Sequence, residues 1–274
     1  MIPESEAIVR LLVFGGVLVL MAGWEWLAPR KQRVTTRWRR WPGHFGLVAV
    51  NNLVVRLVAP LTTLQVAVYV ESHGWGVLSL VKWPEWLEVV AAIVWLDFAI
   101  FLQHVMAHAV PFFWRLHRVH HADLDLDVTS GVRFHTLEIL FSTLLKSAAI
   151  AVSGAGVWSV FLFEIVLNAS AMFNHSNVAI PVGLDRWLRW LIVTPDMHRV
   201  HHSVVRRETD SNYGFNLPWW DRLLGTYRDQ PEAGHDGMTV GLDDPHDDTR
   251  CGRLDWLLTN PFRQFRSQPE QPDR

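Results

Sequence analysis

The sequence predicts an all-α integral-membrane protein with about four transmembrane helices. Three observations carry that expectation. Half of the 274 residues are hydrophobic and 19% are charged, whereas an ordinary soluble domain is roughly a quarter charged. Four stretches are apolar over about the 20 residues that a helix needs to span hydrocarbon. Histidines also crowd beside those stretches: five of the 14 fall between His104 and His121, where even scatter would put about one.

The first span is Ile8–Ala28, uncharged from Leu11 to Trp24. The start, Met1-Ile2-Pro3-Glu4-Ser5-Glu6, has no positive region and no small-x-small site follows, so a cleaved signal peptide is not expected. Leu47–Val70 is the second span, interrupted only by Arg56, and Val89–Val110 the third, carrying Asp97, His104 and His108 in its second half. Leu137–Phe173 is mostly apolar with Ser153-Gly154-Ala155-Gly156 at its middle, the pattern of a helical hairpin made of two short spans or a re-entrant pair.

Basic residues orient these spans. Arg30, Lys31, Arg33, Arg37, Arg39 and Arg40 lie between spans one and two with no acid among them, whereas the next loop holds Glu71, Lys82, Glu85 and Glu88. The positive-inside rule puts the first loop in the cytoplasm. Span three then ends there too, and all the histidine clusters share that reducing compartment. Trp24, Trp26, Trp38 and Trp41 mark the cytoplasmic edge of an aromatic belt, and Trp75, Trp83 and Trp86 the other edge. From Asp185 on the chain turns polar: Arg186–Leu191 reads as an interfacial helix, residues 229–250 as a loop, Leu254–Phe262 as a membrane-surface segment and Arg266–Arg274 as a frayed tail. The division is residues 1–96 as N-terminal spans, 97–228 as the catalytic region and 229–274 as a polar C-terminal segment.

Four features carry chemistry. His104 and His108 are an i, i+4 pair that a helix sets on one face. His117-Arg-Val-His120-His121 and His198-Arg-Val-His201-His202 repeat one H-x-x-H-H spacing, and each box could offer up to three imidazoles to one point. His135 and His175 stand alone in polar runs. Ten imidazoles exceed what one ion can use and suit two metals, and imidazole alone does not choose among iron, copper, zinc and nickel. His44, His73, His235 and His246 read as ordinary surface or hydrogen-bonded residues.

Other classes fail on residues. A net charge of −2 argues against a nucleic-acid binder, and a single cysteine, Cys251, excludes a disulfide framework, a Cys-rich zinc module and a thiolate-bound iron–sulfur cluster. There is no H-E-x-x-H run and no Gly-rich nucleotide loop. Asp123, Asp125 and Asp127 imitate an EF-hand start, but Val128 and Phe134 occupy the required glycine and acid positions. They read as solvated loop or as support for a metal ligand.

The residues His104-x-x-x-His108, Trp114–His121, Asp127–His135, Asn174-His-Ser176, Thr194–Ser203 and Asn212–Tyr227 resemble, in that order, the fatty acid hydroxylase / sterol desaturase superfamily of histidine-rich non-haem diiron proteins. The resemblance covers nearly half the chain. Phe101 and Phe215 depart from it, standing where members often carry tyrosine and asparagine. The resemblance implies a four-span bundle with a cytoplasmic helical cap holding two iron ions, ligated by His104, His108, His117, His120, His121, His135, His175, His198, His201 and His202. It also implies O2 as co-substrate, a membrane lipid as substrate, and hydroxylation of a C–H bond, or desaturation on the same core. The separation of 77 positions from His121 to His198 favours the hydroxylase side, because membrane acyl desaturases place their third box farther away. A non-enzymatic metal transporter would instead string its ligands along a transmembrane path.

Each ligand's second nitrogen needs an acceptor. Asp97, Asp127, Asp196 and Glu138 lie near the boxes and are the candidates, with a simple helix–helix hydrogen bond or an ion pair to Arg56 as the plain alternatives for Asp97. Electrons are expected from a separate ferredoxin- or cytochrome b5-like protein, for which Arg30–Arg40, Arg206 and Arg207 offer a basic face.

Overall fold

The structure is a computed structural model that describes residues 5–59, 61–242 and 250–263. Among these residues the fold is helical throughout, with two isolated bridges, Pro29 to Val178 and Ser203 to Val240, and no strand. The long elements are α1 (Glu6–Leu27), α2 (Arg37–Val58), α3 (Thr63–His73), α4 (Glu85–Ala109), α5 (Pro111–His121), α6 (Thr136–Ser153) and α7 (Val157–Asn174). Short helices follow: α8 (Val182–Leu188), α9 (Pro195–His201), α10 (Arg206–Thr209), α11 (Trp219–Leu224), α12 (Gly234–Gly237) and α13 (Leu254–Thr259).

Helices α1, α4, α6 and α7 are long and apolar enough to cross a membrane, so the chain is a multi-pass membrane protein. The hairpin is two 18-residue helices, each about 27 Å long at 1.5 Å per residue. The second expected span is not one helix. α2 starts at Arg37, ten residues before the apolar run, and stops at Val58, and α3 begins at Thr63. Ala59, which precedes a proline, is extended as that position demands. Thr62 restarts the chain with a capping box: its side chain accepts from Gln65 N while the Gln65 side chain accepts from Thr62 N. The two stretches are bent by 41°.

The bundle core joins α3, α4, α6 and α7 through Leu64, Ala67, Ala92, Leu96, Ile100, Ile150, Val160 and Phe163, and Phe215 enters the same cluster from the cap. α1 packs against α7. Within this apolar volume Glu164 accepts from Arg10 at 2.8 Å, Thr63 Oγ1 at 2.7 Å and Lys146 at 3.4 Å, so that one carboxylate ties four helices. Burying such groups is tolerable only when they are paired.

The two ends of the bundle differ. At one, the hairpin turn meets the end of α3: Gly154 has φ of 80°, and a Cβ there would lie 2.4 Å from the Trp75 carbonyl oxygen. Glu71 accepts from Val157 N at 3.1 Å, satisfying an orphan donor at the start of α7. At the other end sit α5, α8–α13 and the loop after α1, which is stitched to the cap by Val34 N and Thr35 N on the Asp125 carboxylate at 2.8 and 2.7 Å. Trp26 and Trp38 are exposed at this end, and Trp75 and Trp86 toward the other.

The C-terminal expectations need correction. Leu254–Phe262 is anchored in the protein through one face: Trp256 and Leu257 are buried with Leu47, Val119 and Cys251, clamping α13 onto α2 and α5, while Phe262 stays exposed. Residues 229–242 are more than loop, because α12 and the bridge to Ser203 fix Met238 and Val240 over Leu126. In place of the expected helix Arg186–Leu191, the helical turns lie slightly earlier, as α8. Met1–Glu4, His246 and Arg266–Arg274 lie outside the described residues.

Candidate metal centre

Nine of the ten histidines gather beneath the cap, each at most 4% exposed. They form two groups. His104, His108, His117, His121 and His201 make one, and His120, His175, His198 and His202 the other; within each group the donor nitrogens lie within 4.8 Å of one another. α4 supplies an i, i+4 pair, α5 and α9 supply the two boxes, and His175 sits just past α7.

The boxes do not each aim at one point, as the spacing suggested. A helix turns about 100° per residue, so i+4 lies about 40° past i, while i+3 falls about 60° short. His117 and His121 therefore face the five-histidine group and His120 turns to the other. In α9 the assignment is exchanged: His198 and His202 enter the four-histidine group and His201 the five. Each box thus binds the two halves of the centre together.

The nitrogens that converge are Nε2. His104 and His117 approach to 3.1 Å, His120 and His175 to 2.9 Å, His175 and His198 to 3.0 Å, and His198 and His202 to 3.3 Å. Buried Nε2 atoms of His108, His121 and His201 have no partner among the described residues. The back of the rings explains the tautomers. His104 Nδ1 donates to the Tyr213 carbonyl at 2.7 Å, His201 Nδ1 to that of Ser211 at 2.7 Å and His175 Nδ1 to that of Ala171 at 2.6 Å. A carbonyl only accepts, so Nδ1 carries the proton and Nε2 presents a bare lone pair. Lone pairs converging about 3 Å apart suit ligands at right angles around an ion with M–N near 2.1 Å. Burial lowers the pKa of His201 to about 3 and that of His175 to about 4, and burial with neighbouring imidazoles holds His120, His121, His198 and His202 well below the usual value. Neutral imidazole, the ligating form, is therefore their resting state. The donor set fits two nitrogen-ligated ions.

His135 is not brought into either group. It caps α6, with Nδ1 accepting from Leu137 N at 3.2 Å and Nε2 set toward the Leu258 carbonyl at 3.3 Å. Its neighbour Phe134 turns inward instead and stacks on His120, centroids 4.4 Å apart and planes 11° apart.

Of the proposed supporting acids, Glu138 alone touches a grouped histidine, accepting from His117 Nδ1 at 2.6 Å. Asp97 does not, nor does it pair with Arg56. It accepts from Asn216 Nδ2 and Trp220 Nε1, both at 2.8 Å, and so holds the loop whose Tyr213 carbonyl backs His104. Asp127 accepts from Arg40 and Trp41, and Asp196 from Arg30. Asp123, Asp125 and Asp127 are neither solvated nor metal-supporting. They are buried struts: Arg40 spans both oxygens of Asp123 at 2.7 and 2.6 Å and reaches Asp127 at 2.7 Å, while Arg133 lies 3.0 Å from Asp123. Burial alone would raise the Asp123 carboxyl, but Arg40 and Arg133 hold it far below the carboxylate range.

Three contributors were given no role by sequence reasoning, although Asn212 and Asp221 lie in the run Asn212–Tyr227 that carries the resemblance. Asp210 faces His108 Nδ1 at 3.3 Å. Asn212, in the left-handed region at φ of 50°, bridges the Met197 and Arg228 carbonyls. Asp221 accepts from Tyr213 N and Gly214 N, both at 2.7 Å. The turn-prone run Asp210-Ser-Asn-Tyr-Gly214 was the available signal. The basic loop, expected to face outward, is largely consumed inside: Arg30 pairs with Asp196 and Asp236, Arg37 with Glu25, and Arg40 with Asp123 and Asp127.

Comparison with known proteins agrees with this site. The family described as fatty acid hydroxylase matches residues 89–226. Ornithine lipid hydroxylase OlsE of Rhizobium tropici is 35% identical over 175 residues, covering 64% of this chain and 50% of that protein. Human alkylglycerol monooxygenase is 30% identical over 57% of this chain and 33% of its own length. A very-long-chain aldehyde decarbonylase of Oryza sativa, GL1-8, is 26% identical over 65% of this chain and 69% of its own. The chain thus spans half the length of the first of these and a third of the second. No solved structure matches.

Proposed function

The chain belongs to the fatty acid hydroxylase family, and on that premise we propose that it is an oxygen-dependent lipid hydroxylase working at the cytoplasmic face of its membrane. The observation that carries the reading is the division of nine buried imidazoles into two groups with converging Nε2 atoms. Two iron ions would be held there, one by His104, His108, His117, His121 and His201, the other by His120, His175, His198 and His202. Bound iron would supply the activation of O2 that side chains cannot perform. The balance is R–H + O2 + 2 e− + 2 H+ → R–OH + H2O, with electrons from a separate carrier.

The protein's own residues do the rest. Glu138, Asp210 and the Tyr213, Ser211 and Ala171 carbonyls fix ring orientation and tautomer. Phe134, against His120, and Phe215, 5.5 Å from His104 and 6.3 Å from His198, stand between the histidines and the bundle core. They keep water off the reacting carbon and give an alkyl chain an apolar seat. Two relatives act, by name, on ornithine lipid and alkylglycerol, and we infer a membrane lipid as substrate here. The cytoplasmic assignment rests on the basic loop after α1 sharing an end with the histidines.

Purified, iron-loaded protein given extracted lipids, dithionite and 18O2 should yield lipids heavier by one labelled oxygen. His120→Ala and His201→Ala should each lose product and part of the bound metal while keeping helical circular dichroism. Full activity with unchanged metal content in either variant overturns the reading, and a product that has lost two hydrogens without gaining oxygen reassigns it to desaturation.

A further inference from the structure

All nine grouped histidines are sealed from solvent, so electrons must enter through some other side chain. Trp114 is placed to do this. Its ring lies 5.0 Å from that of His108 and 5.3 Å from that of His121, centroid to centroid, and its indole is only partly buried. The Arg206 guanidinium lies 6.0 Å from the indole centroid. Arg206 also reaches the same ligand by a second route: it donates to Asp210 at 2.5 Å, and Asp210 faces His108 Nδ1. One exposed arginine thus connects to the five-histidine group through both a ring contact and a hydrogen-bonded relay. Arg115, next to Trp114 on α5, and Arg207, next to Arg206 on α10, are exposed as well.

We propose that Trp114 and the surrounding Arg115, Arg206 and Arg207 form the docking surface of an acidic one-electron carrier protein, with Trp114 as the point of electron entry. The inference rests on the hydroxylase reading, which requires two external electrons per turnover. The carrier is oxidised by one electron at each of two encounters, and the electrons go to the ions at the histidine centre. Positive charge around the entry point selects an acidic partner and steers its approach, an effect that salt screens. The Arg30–Arg40 loop is the weaker alternative: Arg30, Arg37 and Arg40 are at most 22% exposed, whereas Arg206 and Arg207, although paired with Asp210 and Glu232 at the surface, stay 72% and 61% exposed.

The test is stopped-flow reduction of iron-loaded protein in detergent by reduced plant-type [2Fe–2S] ferredoxin, with dithionite as a carrier-independent control. For the wild type, the bimolecular rate should fall steeply with salt. Arg115→Glu combined with Arg207→Glu should slow ferredoxin-driven reduction at least tenfold at low salt, leaving iron content and reduction by dithionite unchanged. Trp114→Leu should slow electron entry after the carrier has bound, measured as a lower limiting rate at saturating ferredoxin. A wild type that ferredoxin does not reduce, or a double variant reduced at the wild-type rate, overturns the proposal. If that double variant instead loses affinity for anionic lipid in nanodiscs, the patch is a headgroup contact. Failure of dithionite-reduced wild type to oxidise any lipid would count against the hydroxylase reading itself.

Discussion

Glu138 and His135 sit three residues apart and show how finely the centre is specified. Both are polar residues at the start of α6, yet one backs a ligand and the other caps the helix. Accepting from Nδ1 at 2.6 Å, the Glu138 side chain fixes the orientation and tautomer of the His117 ring. Glu138→Gln should therefore weaken binding of one of the two ions by about 10–100-fold, read by titration against a competing chelator. His135→Ala should leave both ions bound and cost about 1 kcal/mol of stability as a lost cap, read by thermal melting. Loss of an ion in His135→Ala would place that residue in the centre after all. Glu138 was named from the sequence because it lies three residues from His135, although the ring it backs belongs to His117, 21 residues earlier. Asp210 was not, because no spacing rule links it to His108, 102 residues earlier.

Between elements, contacts rather than propensities decide the architecture. α2 carries basic residues through its first turns, which hid its start from a reading based on apolar runs, and those turns are helical because Arg40 finds two buried carboxylates. At the opposite end the hairpin turn and the end of α3 meet backbone to backbone. Gly154→Val would place a branched side chain at positive φ, costing about 1–2 kcal/mol for the left-handed conformation alone, and its Cβ would also strike the Trp75 carbonyl. The expected outcome is a clearly lower melting temperature in detergent, with Gly183→Val, whose Cβ meets nothing within 4 Å, as the neutral control. Equal melting temperatures would show that the two turns do not hold each other. The hairpin itself was legible, since a Gly-rich break halved a long apolar run; its contact with α3 was not.

For the whole molecule the testable property is sidedness. Val34 and Leu80 are both well exposed, and they belong to loops at opposite ends of the bundle. The only native cysteine, Cys251, is buried and is replaced by serine in the background used. Val34→Cys should react with a membrane-impermeant maleimide in inside-out vesicles alone, and Leu80→Cys in intact cells alone. Labelling of both from one side would overturn the assignment of the histidine end to the cytoplasm.

Residue order alone was enough for the helical class, the long apolar helices, the histidine boxes and an expectation of two ions, because hydropathy and spacing are local properties of the chain. Folding alone assigned each imidazole to its group. The 100° step of a helix sends neighbours in one box to different partners, and which partner waits on each side depends on how α4, α5, α7 and α9 are packed. Folding also chose the groups behind the rings. Three of them are backbone carbonyls, which every residue possesses and which therefore leave no trace in the order of side chains.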